Sequence, residues 1–173
     1  SPGTVIRRRL PWLLLSLLTV FLAAATVGLF EGTLARYSAL AVLLPLVLGQ
    51  SRITGAQSLA VSLRGLFLGE VQPRQWLSIA GKEIAAGLVN GLVVAAVAAG
   101  GVYLWSQSTG LAMLVAVGVL VSTLAAAVVG GLVPVVLRGL GRNPARASML
   151  LLTTFADVAG VLAFLGFATW MLR

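Results

Sequence analysis

Long apolar stretches separated by short polar turns occupy almost the whole chain, and each is close to the length of one membrane crossing. A helix needs roughly 20 mainly apolar residues to cross about 30 Å of hydrocarbon. On that measure the spans fall at about 10–30, 38–67, 79–105, 111–137 and 145–172. The first exit turn holds Glu31, Gly32, Thr33 and Arg36. The runs are continuous rather than alternating, which argues against barrel strands. The expected fold is all-α, a polytopic membrane protein of five transmembrane helices, and the whole of 1–173 reads as one transmembrane domain with no soluble domain. The first run follows Arg7, Arg8 and Arg9 as a signal peptide would. It is long enough to span and lacks a clear small-residue cleavage site, so it reads as a retained helix.

Charge adds a direction to this pattern. If successive spans alternate, one side carries nine cations (Arg7, Arg8, Arg9, Arg64, Arg74, Lys82, Arg138, Arg142 and Arg146), against two, Arg36 and Arg173, on the other. Lys and Arg collect on the cytoplasmic side of membrane proteins. The N-terminus is therefore expected in the cytoplasm and the C-terminus outside, in a cell's inner (cytoplasmic) membrane. Trp12, Tyr37, Trp76, Tyr103, Trp105 and Trp170 fall near span ends, where amphipathic rings anchor. The net charge of +8 does not suggest nucleic acid, because the cations sit at span ends rather than in one basic stripe. With no Cys and no His, disulfides, thiolate chemistry, zinc sites and His-based triads have no material to work with. Only four acidic residues are present, and an enzyme is the least expected function.

Two ionisable residues fall near mid-span: Asp157 in the fifth span and Arg52 in the second. Each costs roughly 2.5–3.5 kcal/mol at mid-membrane on insertion scales, so neither is expected to face lipid. Two readings stand. Asp157 supplies carboxylate oxygens to a passing cation, the hard ligand that magnesium and calcium prefer. Alternatively Arg52 and Asp157 pair, fastening two helices, and nothing need be transported. Pro45, Gly49 and Gly55 surround the polar stretch of the second span and are expected to break its helix there. Gln57, Ser58, Asn90, Thr153 and Thr154 are candidates for a polar pore lining, each with the plainer alternative of an inter-helix hydrogen bond. Gly87 and Gly91 on the third span have the spacing of close helix packing.

Several ordered motifs carry a resemblance. They are Arg9-Leu10-Pro11-Trp12, Gly28-Leu29-Phe30-Glu31-Gly32-Thr33, Thr54-Gly55-Ala56-Gln57-Ser58 with Arg64-Gly65-Leu66, Lys82-Glu83 with Gly87-Leu88-Val89-Asn90-Gly91, and Asn143-Pro144-Ala145 with Thr153-Thr154-Phe155-Ala156-Asp157. Over nearly its whole length the chain resembles the membrane domain of the MgtE family of magnesium transporters and channels. That resemblance implies a homodimer of five-helix subunits with a pore on the two-fold axis. It also implies that Asp157 is the pore ligand for hydrated Mg2+, with no organic cofactor. Two departures stand out: Ser51-Arg52-Ile53 replaces the family's Gly-Gly-Asn stretch, and Met149-Leu150 replaces a Gly-Pro. Arg52 thus places a permanent cation near the expected ion path, as a pore-blocking or selectivity-altering group. The family's cytoplasmic sensor domains have no counterpart in this sequence, which leaves a membrane-only subunit or part of a longer protein as the expectations. The alternative function is a non-conducting membrane scaffold of the same fold in which Arg52 neutralises Asp157.

Overall fold

The computed structural model describes residues 2–172; Ser1 and Arg173, and the side chains of Pro2, Arg8 and Arg146, lie outside the described residues. The chain forms α1 (Pro2–Gly28), a short α2 (Glu31–Arg36), α3 (Ala39–Phe67), a 3-10 turn at Pro73–Gln75, α4 (Trp76–Ser106), α5 (Thr109–Gly139) and α6 (Pro144–Met171). Five of these helices are long and apolar enough to cross a membrane. They match the predicted spans, with α1 reaching further towards the N-terminus, through the arginine cluster.

The helix ends follow local chemistry. Gln107 ends α4 in the left-handed conformation with φ 52°. Ser108 then caps α5, its side chain accepting from the Leu111 amide. At the other end of α5, Gly141 turns the chain with φ 69°. Asn143 caps α6 by accepting from the Ala145 amide, and Pro144 takes the first helical position, where its missing N–H costs nothing. The predicted polar turn at Glu31 to Arg36 is helical instead. Glu31 stands in its first turn and Arg36 in its last, both favourable to the helix dipole, while Phe30 and Leu34 pack against the core.

α5 is the central post, packing on α3, α4 and α6, whereas α1 leans mainly on α6 among the described residues. Glycine sets the closeness of the α3–α5 contact. A Cβ on Gly130 would collide with the Gly55 carbonyl, and one on Gly55 would stand 3.1 Å from the Ala126 carbonyl. The expected break in the second span is therefore not realised. α3 runs helical from Ala39 to Phe67, and Gly55 lets it approach α5 rather than unwinding it.

The core falls into two clusters along the bundle. The larger joins Leu40, Leu43 and Val47 to Val115, Val119, Val161 and Phe164, and the smaller joins Leu59, Ala126, Leu152 and Ala156. Between them, in chain register, lie Ser51 on α3, Ser122 and Thr123 on α5, and Asp157 on α6, all buried. The three hydroxyls donate to carbonyls of their own helices, so this polar layer needs no water on their account. α3 and α4 both rest on α5 without packing closely on each other, which leaves a groove between them.

Candidate functional site

Asp157 is placed by α6 and faces α3. Its side chain is 6% exposed, and Arg52 reaches it from α3 with a side chain that is 51% exposed. The pair is bidentate. Arg52 Nε donates to Asp157 Oδ1 at 2.8 Å, and Nη2 donates to Oδ2 at 2.7 Å. These short, parallel, charge-assisted bonds use the planar fork that only arginine offers. They occupy one lone pair on each carboxylate oxygen and cancel the charge that would attract a cation. The half-exposed guanidinium also has open space beside it, so the pair lies at the edge of the bundle and not inside a sealed core.

The predicted polar residues divide between two places. Thr153 and Thr154 lie on α6 about one turn before Asp157 and donate to the carbonyls of Met149 and Leu150, leaving their oxygens as acceptors. Gln57, Ser58 and Asn90 lie elsewhere, lining a polar cavity of about 200 Å³ between α3 and α4 together with Thr54 and Glu83. Neither Arg52 nor Asp157 borders that cavity. Gly87 also lines it, while Gly91 meets Thr123 and Leu120 of α5. The Gly87–Gly91 pair therefore serves the packing of α4 on α5, as its spacing suggested.

Glu83 had no place in the set read from the sequence, where it counted as one more charge near a span end. In the fold it sits inside α4, and its side chain lies against α5 at Gly131. A Cβ on that glycine would stand 2.5 Å from Glu83 Cγ. The signal available in sequence was the recurrence of Glu83, Gly87 and Asn90 on one helical face. No group of three or more His, Cys, Asp or Glu side chains is assembled among the described residues. A metal here would meet single carboxylates supplemented by amides, hydroxyls and its own water, the mode that suits magnesium.

Comparison with known proteins settles the family. Residues 44–167 match the family model MgtE, described as a divalent cation transporter. The chain belongs to the MgtE family. It is 34% identical over 165 residues to a protein of Thermus thermophilus named magnesium transporter MgtE, a match that covers 95% of this chain and 36% of that protein. A Bacillus subtilis protein of the same name is 32% identical over 162 residues, 94% of this chain and 36% of the relative. A third, from Enterococcus faecalis, is 29% identical over 173 residues, covering 100% of this chain and 38% of that relative. The chain thus spans little more than a third of the length of these curated relatives. The matched region of this MgtE-family chain contains Arg52, Glu83 and Asp157.

Proposed function

We propose that this chain forms the membrane-spanning part of a divalent cation transporter, with Mg2+ as the expected cargo and Asp157 as the ion-binding carboxylate. The observation that carries the reading is a buried carboxylate at mid-helix in an MgtE-family bundle, since ionisable side chains within membrane spans are costly, rare and commonly mark ion pathways. Arg52 is its resident counter-ion: with the guanidinium in place the carboxylate is neutralised, and a passing cation competes with it. Two chains placed about a two-fold axis would bring two copies of Asp157 to one path, enough for an ion that keeps most of its water. The cation-rich end of the bundle is assigned to the cytoplasm and the last helix to an outward C-terminus, in the cell's inner membrane.

The fork itself favours a second reading, because both oxygens of Asp157 are engaged. In that reading the chain is a scaffold or partner subunit and the pair is a permanent fastening. Vesicles holding the purified chain and a magnesium-sensitive dye separate the two. Transport predicts influx above empty vesicles, lost in Asp157→Ala. Influx at the level of empty vesicles for the native chain, or equal influx from both proteins, would overturn it.

A further inference from the structure

The groove between α3 and α4 changes character along its length. Towards the end where α4 finishes it is apolar, an open trough of about 330 Å³ lined by residues such as Val42, Leu46, Ala98 and Trp105, chemistry that lipid tails satisfy. Towards the start of α4 it becomes the 200 Å³ cavity of Thr54, Gln57, Ser58, Glu83 and Asn90. Of these, only Thr54 has a side-chain hydrogen bond among the described residues, donating to the Gln50 carbonyl and keeping its oxygen free to accept. Polar groups at membrane depth that lack partners are costly, and lipid tails cannot supply the bonds.

We infer that this cavity is a second binding station for a divalent cation, centred on the Glu83 carboxylate and completed by the amide oxygens of Gln57 and Asn90. The inference rests on the cation-transport reading for its biological sense, but not on Asp157 for its chemistry. Every side chain that could meet an ion here offers oxygen, the donor that magnesium and calcium take. No Lys or Arg lines the cavity, so the one formal charge in it is negative. That is the reverse of the Asp157 site, where a fixed cation already holds the carboxylate. The volume admits several waters, which a reluctantly dehydrated ion would retain. The carboxylate is also positioned rather than free to sweep. Glu83 Oε1 lies 3.3 Å from where a Gly131 Cβ would stand, so the glycine provides the notch that lets the acid fold against α5.

Mn2+ serves as the probe, because its free aqua ion is counted directly by electron paramagnetic resonance. Purified chain in detergent is titrated with Mn2+ alongside Glu83→Gln, Asn90→Leu and Asp157→Asn, each first checked for an unchanged elution volume. The native chain and Asp157→Asn should both take up Mn2+ at this station, with Mg2+ displacing it and Na+ at equal ionic strength leaving it in place. Glu83→Gln should raise the half-saturating concentration at least tenfold, and Asn90→Leu, on the same helical face, by a smaller factor. Uptake unchanged in both cavity variants, absent from the native chain, or displaced equally by Na+ would overturn the station. Because the readout is binding, it fails separately from the transport reading, which the Asp157→Ala flux comparison decides.

Discussion

The Arg52–Asp157 pair and the α3–α4 cavity are both polar interruptions of an apolar bundle, and both draw on α3. Their construction is opposite. At the first, a buried carboxylate is matched atom for atom by a guanidinium, and the polar layer beside it is satisfied by the helices' own carbonyls. At the second, one acid, two amides and a serine hydroxyl face open space without partners among the described residues. A membrane protein can tolerate a charge by fastening it or by wetting it. This fold fastens one on one flank of α3 and leaves the other facing open space on the opposite flank.

Breaking the fastened side should have the largest effect. Arg52→Met leaves a buried carboxylate uncompensated, which by analogy with broken buried pairs costs about 3–5 kcal/mol, read as a marked fall in thermal unfolding temperature in detergent. The double variant Arg52→Met/Asp157→Leu should recover most of that loss, since apolar replacement of a whole buried pair is often neutral. A single variant as stable as the native chain would mean that the pair does not hold α3 to α6. Next in size is Gly130→Ala, which thrusts a methyl group at the Gly55 carbonyl and should cost roughly 1–3 kcal/mol by overpacking, measured in the same melt. Smallest is the open side. Glu83→Gln breaks no intramolecular bond and should stay within about 0.5 kcal/mol of the native chain. A large destabilisation there would show that the acid is fastened after all, and the contrast between the two flanks would collapse.

Much of the fold was legible because hydrophobic length is a local property. The span limits from hydropathy fall close to the observed helices, as at 79–105 against Trp76–Ser106. The Arg52–Asp157 encounter was also foreseeable, as one of two readings, because two opposite charges at mid-depth have few other ways to be accommodated. What escaped was set by contacts between distant segments. Hydropathy averages blur a short helix such as Glu31–Arg36 into a turn. Gly55 signals a break or a close approach equally well until Gly130 is known to sit opposite. Glu83 looked like an ordinary interfacial charge because nothing near it in the chain reveals that Gly131 cuts a notch for it. The division of Gln57, Ser58 and Asn90 from Asp157 likewise depends on which side of α3 each neighbour occupies.

The seam where Gly55 meets Gly130 bears on how the paired carboxylate would be uncovered if Asp157 serves an ion. With backbone against backbone there, no side chain separates α3 from its post, and Arg52 projects from a helix seated close on α5. Under the transport reading, uncovering Asp157 would then need the two bonds of the pair to break and one long side chain to rotate, rather than the microsecond-to-millisecond shifting of whole helices. On that reading, a guard hinged in this way would open and close while the bundle around it stays in place.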